Sequence, residues 1–122
     1  MSAGLQTLGA DVRLGVLQGA NIKSVTPLGS SQATAAALQV GMNAVAGANG
    51  TLAVRLPKAK IGQQVHVYSS TATNGLPVYP HVGGNINGTT TNDPVTMEGK
   101  TPAWFVLQPD GLTWAAFFTA NT

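Results

Sequence analysis

Short runs of β-branched and aromatic residues, each stopped within a few positions by a turn signal, recur along most of this chain and restrict what it can fold into. Leu52, Val54 and Leu56 alternate with Ala53 and Arg55 until Pro57 ends the run, and Asn49-Gly50 supplies the turn before it. Val65, Val67 and Ser69 alternate in the same way with Gln64, His66 and Tyr68. Thr73-Asn74-Gly75 then leads into Leu76-Pro77-Val78-Tyr79, where Pro77, lacking an amide hydrogen, predicts an edge strand or a bulge. Further strands are predicted at Pro94 to Met97, Ala103 to Leu107 and Trp114 to Phe118, with Glu98-Gly99-Lys100 as a solvated hairpin tip. Gln108-Pro109-Asp110-Gly111 fits a type I turn and joins the last two strands as a hairpin. Many short strands with frequent turns predict an all-β fold, a sandwich or a barrel.

The N-terminal quarter is less regular. Residues 1 to 30 carry scattered glycines, Pro27 and apolar residues with no sustained period, which reads as an arm or as edge strands, with Ile22 and Val25 forming one of these. From Ser31 to Gln39 the alanine content suits a helix. Against this, Ala36, Leu38, Val40 and Met42 fall on one side of a period-2 ladder, so extended structure is predicted there.

A chain of 122 residues suffices for a single core. Its surface is unusual: 8% of residues are charged, against roughly a quarter in ordinary soluble domains. A formal charge of +2 gives little protection against self-association, so the surface suits contact with other subunits. The basic excess is too small for a nucleic-acid binder. Arg55, Lys58 and Lys60 form the one basic cluster, no aromatic residue is interleaved with them, and they read as a solvated strand end and loop. There is no cysteine to build a disulfide or a thiolate metal site. No stretch reaches membrane-spanning length and the start, Met1-Ser2-Ala3-Gly4-Leu5, does not read as a secretory signal, so synthesis in a cytoplasm without a membrane partner is expected.

Catalysis needs clustered groups of matched proton affinity or a metal. Asp11, Asp93, Glu98 and Asp110, the four carboxylates, fall in the arm, a loop, a strand end and a turn. His66 and His81 lie on different predicted elements, where an isolated histidine is more often hydrogen-bonded or solvated than metal-bound. No nucleophile elbow is present. The chain is therefore read as a non-enzyme with no catalytic residue, no metal site and no cofactor. Its aromatic residues say more. Trp104, Phe105, Trp114, Phe117 and Phe118 crowd the last hairpin, and because neighbours on a strand point to opposite faces, one aromatic face looks outward.

The segment from about Ser31 to Phe118 resembles a module of bacteriophage structural proteins found in capsid decoration proteins and at tailspike or fibre tips. Gln32-Ala33-Thr34-Ala35, Val54-Arg55-Leu56-Pro57 and Gly62-Gln63-Gln64-Val65-His66-Val67 carry the resemblance. So do Leu76-Pro77-Val78-Tyr79-Pro80, Gly83-Gly84-Asn85-Ile86-Asn87-Gly88 and Ala103-Trp104-Phe105-Val106 before Trp114. It implies a single antiparallel β-sandwich, jelly-roll-like, over residues 31–122, with residues 1–30 as an N-terminal arm, and it implies a homotrimer exposed on the virion. The expected function is a cement protein, made in the host cytoplasm, that binds the major capsid protein on the outer capsid surface and stabilises the shell. Leu5, Leu8, Val12, Arg13 and Leu14 are the expected capsid contacts, and Trp104, Phe105, Trp114 and Phe118 the core or trimer packing. The alternative is a tailspike or fibre tip that binds host-surface carbohydrate through Tyr68 and Tyr79.

Overall fold

The computed structural model describes residues 21–71 and 74–121, and every regular element in them is a strand. The first five are β1 (Ile22–Val25), β2 (Ala36–Ala37), β3 (Gly41–Val45), β4 (Val54–Arg55) and β5 (Gln64–Ser69). They are followed by β6 (Leu76–Tyr79), β7 (Asn85–Ile86), β8 (Val95–Met97), β9 (Pro102–Leu107) and β10 (Thr113–Phe117). Two sheets result, one with strand order β1-β3-β5-β9-β10-β7 and one with order β2-β4-β6-β8.

From β1 to β6 the chain alternates between the sheets, and each strand pairs in parallel with the next one in its own sheet. The antiparallel β-sandwich expected from the sequence is therefore wrong: the strands form a parallel-rich β-solenoid of about four turns. Period-2 alternation sets which face of a strand is buried, but it does not say which strand lies alongside. The turn residues between runs make corners of a coil rather than hairpins. Glu98-Gly99-Lys100 is one such corner, since β8 and β9 belong to different sheets. Among the described residues, only those from β8 onward reverse direction. There β8 pairs antiparallel with β6, β9 pairs antiparallel with β5, and β10 returns along β9 as a hairpin.

Gly41, with a φ of 98°, lies where the chain passes from β2 to β3. The corner breaks the expected ladder: Ala36 and Leu38 are buried, whereas Met42 is exposed and Asn43 and Val45 point inward. The buried Asn43 amide holds this corner, accepting from Gln39 N (2.9 Å) and donating to Gln39 O (3.0 Å) and His66 O (3.1 Å). Asn87 acts similarly at the opposite edge, its amide pairing with both Ala116 N (2.8 Å) and Ala116 O (3.3 Å). Neutral amides thus satisfy backbone groups where strands stop, which explains why Asn and Gln stand where charged residues are usual.

The core lies between the sheets. Val45, Val65, Val67, Phe105 and Trp114 of the six-stranded sheet meet Val54, Leu76, Val78 and Met97 of the four-stranded sheet, all of them buried. Each fully buried side chain of this size contributes about 1.5–3 kcal/mol through lost apolar surface. Pro77 sits inside its sheet rather than at an edge. It lies beyond the end of the β4 ladder, which reaches only Val78 and Tyr79, so its missing donor costs no hydrogen bond there. The expected turn from Gln108 to Gly111 forms, with Gly111 N donating to Gln108 O at 2.9 Å. Asp110 closes it by accepting from the Thr113 hydroxyl (2.6 Å) and from the Thr113 and Leu112 amides. The hydroxyl first and the amides next hold its carboxyl below the usual carboxylate range.

Candidate functional site

The outward face of the six-stranded sheet bears one cross-strand row. Ile22 pairs with Met42, Met42 with His66, His66 with Trp104, and Trp104 with Phe117. Residues directly opposite on neighbouring strands touch, so these five form one stripe, about 19 Å from first strand to last at the usual strand spacing. Ile22, Met42, Trp104 and Phe117 are exposed by 58%, 47%, 40% and 60%. The rings of His66 and Trp104 stack at 5.5 Å and 17°, and those of Trp104 and Phe117 lie 5.3 Å apart. Gln64 fixes the centre, its Oε1 accepting from Trp104 Nε1 (3.1 Å) and lying 3.2 Å from His66 Nε2. Beside the stripe runs a second row, Ser24, Ala44, Tyr68 and Pro102. Neither row holds a charged residue. Pro102, Trp104, Phe117 and Phe118 also border a shallow hollow of about 480 Å³ at one end of the stripe.

The aromatic residues singled out in the sequence divide between this face and the interior. Trp104 lies on the face, Phe105 and Trp114 are fully buried, and Phe118 packs partly buried against the core. Tyr68 and Tyr79 do not share a surface. Tyr68 is on β5 of the six-stranded sheet, while Tyr79 is on β6 of the other, its hydroxyl donating to Ser30 O at 3.1 Å. Leu5, Leu8, Val12, Arg13 and Leu14 lie outside the described residues.

A second site was not foreseen from the sequence. Trp114 Nε1 donates to His81 Nδ1 at 2.9 Å in the interior. An indole nitrogen can only donate, so Nδ1 carries no hydrogen and the proton of the neutral ring sits on Nε2. His81 is in turn closely backed by Gly84, where a Cβ would come within 2.6 Å of the imidazole. His81 lines a cleft of about 480 Å³ together with Arg55, Lys58, Leu56, Pro57, Ala37 and Val82. The cleft lies at the ends of β2, β4 and β6, where the parallel strands leave the four-stranded sheet. Arg55 and Lys58, expected to be a solvated strand end, are here brought beside the histidine. Among the described residues no three His, Cys, Asp or Glu side chains come together as a metal site.

Burial, and then the positive charge of Lys58, lower the His81 pKa below its usual 6.5. The unfolded chain therefore binds the proton more readily, and stability rises with pH in this range. It is complete above about 6.5 and declines as the pH falls toward the lower folded value. The thermal midpoint is expected to drop when the pH is taken from about 7.5 to about 5.5. Differential scanning fluorimetry checks this, and His81→Asn, which cannot take up the proton, is expected to flatten the slope.

No known family model and no curated protein sequence matches this chain. Among solved structures, a fragment of enterohemorrhagic E. coli StcE, residues 132–251, is similar over 86% of this chain and 94% of that one, with 14% identity and a TM-score of 0.39. A likeness of that degree carries no inference about function.

Proposed function

We propose that this chain is a structural component of a bacteriophage virion, a homotrimer bound to the major capsid protein on the outer capsid surface, where it stabilises the shell. The resemblance of the segment from about Ser31 to Phe118 supports the virion role, and the observation that carries the subunit contact is the uncharged stripe from Ile22 to Phe117. Monomeric proteins rarely leave a contiguous apolar patch of this kind open to water. The occupant proposed for it is a second and third copy of the same chain. The stripe runs across five neighbouring strands of one sheet, so three copies can turn their stripes toward a shared axis. No like charges oppose that approach, because neither row of the face carries any. Capsid binding then draws on three modest contacts at once, which raises avidity without a strong single site.

Purified virions and sedimentation of the isolated protein test the proposal together. The expected results are co-purification of the chain with intact particles and a solution species of three times 12.4 kDa. A monomer missing from virions would overturn it. The competing reading, a tip that stacks sugars on Trp104 and Tyr68, requires that face to stay open in the assembled protein. A monomer that retains glycans on an array, with loss of signal in Trp104→Ala, would favour it.

A further inference from the structure

We infer that the cleft around Arg55, Lys58 and His81 is a binding site for an oxyanion, carboxylate or phosphate, carried on a ligand of monosaccharide size. Among the described residues its lining offers two cations and no carboxylate. The Trp114 bond to Nδ1 leaves His81 in the tautomer whose Nε2 carries a hydrogen, so a neutral donor joins the two charged ones.

These donors are also held in place. Arg55 Nη1 donates to Gln32 O at 2.8 Å, which fixes the guanidinium plane and leaves the rest of its fork for a ligand. The side-chain amide of the same Gln32 donates to Pro80 O at 2.9 Å, immediately before His81. One residue thus ties both sides of the cleft together. Asn92 braces the following loop, its Oδ1 accepting from Gly83 N at 2.7 Å and its backbone nitrogen donating to Gly84 O at 2.8 Å. Pre-set donors lose little freedom when an anion arrives, which raises the affinity of a small ligand.

The remaining walls are Ala37, Leu56, Pro57 and Val82. They suit the C–H face of a sugar ring or a similar apolar body. The volume of about 480 Å³ falls within the range of small-molecule sites. The site is separate from the stripe on the six-stranded sheet, so it stands whether or not the protein forms trimers.

The test is a titration of the whole protein at constant ionic strength, followed by amide chemical shifts, with sodium D-glucuronate, D-glucose 6-phosphate and neutral D-glucose. Saturable shifts confined to the cleft are expected with one or both charged sugars and not with D-glucose. Response to glucuronate alone identifies a carboxylate ligand, and response to the phosphate ester alone a phosphate ligand. Arg55→Gln is expected to weaken binding about tenfold or more, as loss of a charge-assisted pair does. Lys58 is exposed, so Lys58→Gln should fold normally and still weaken binding severalfold. Equal shifts with D-glucose, no saturation with either charged sugar, or undiminished affinity in a folded Lys58→Gln would overturn the inference.

Discussion

Replacing Trp114 by alanine is expected to lower stability by about 3–5 kcal/mol, the range for removing a large buried aromatic side chain. Trp114 is wholly buried and lies where β10 meets both β9 and β7, opposite Leu107 on one side and Ile86 on the other. The indole fills part of the core cluster beneath the closing hairpin. For a domain of this length the thermal midpoint should fall by roughly 10 °C or more. Trp114→Phe separates packing from hydrogen bonding. It keeps much of the volume but leaves His81 Nδ1 without its donor, at a cost of about 1–3 kcal/mol near neutral pH. Burial and Lys58, which lower the His81 pKa, both remain in Trp114→Phe, so the acid sensitivity of the parent should persist in it. Thermal melts of the three proteins at two pH values check both expectations. A Trp114→Ala protein that melted with the parent would show that the hairpin is not part of the core.

Much of the strand content is legible in the sequence, because it depends on neighbours a few positions away. The β5 pattern from Gln64 to Ser69 alternates as the side chains require, and the hairpin turn at Pro109 and Asp110 declares itself through residues that favour a tight turn. The strand partners are not legible, because they lie a full coil away. Met42 pairs with His66 and Val54 with Val78, both at an offset of 24 residues. Over that offset residues 41–56 share only Ala48/Ala72, Leu52/Leu76 and Val54/Val78 with residues 65–80. The preceding coil is shorter, pairing Ile22 with Met42 and Ala36 with Val54, so no fixed period marks the solenoid. Buried positions need only be apolar and polar corners need only satisfy the backbone, and many residue combinations do both.

The cleft was hidden for the same reason. The offset of 24 that aligns Val54 with Val78 carries Pro57 onto His81, and so sets Lys58 beside the histidine. Without that offset, the basic cluster and the histidine are simply 23 positions apart. The division of the hairpin aromatics was likewise undetermined. Trp104 and Phe117 oppose one another on one face while Phe105 opposes Ala116 on the other, so both faces hold aromatic residues and the local pattern does not say which turns inward.

The second large effect concerns the outer face. Trp104→Glu combined with Phe117→Glu is expected to convert the proposed trimer into a monomer of 12.4 kDa. Both side chains are exposed in the single chain, so their removal leaves the interior intact and the melting transition should persist at low concentration. In the proposed trimer they form one end of the stripe, with Phe117 last and Trp104 next to it. A large aromatic residue packed into an interface can contribute about 2 kcal/mol or more, and each 1.4 kcal/mol is a factor of ten in affinity. Two such losses, with like charges from three subunits now facing one axis, should weaken association by at least about a thousandfold. Val82→Glu provides the control. Val82 is 71% exposed but follows β6 of the other sheet, so a glutamate introduced there should leave the mass unchanged. Sedimentation velocity of the three proteins over a range of concentrations distinguishes the outcomes. If the double variant kept the parent mass, the subunit contact would have to lie elsewhere than on this sheet face.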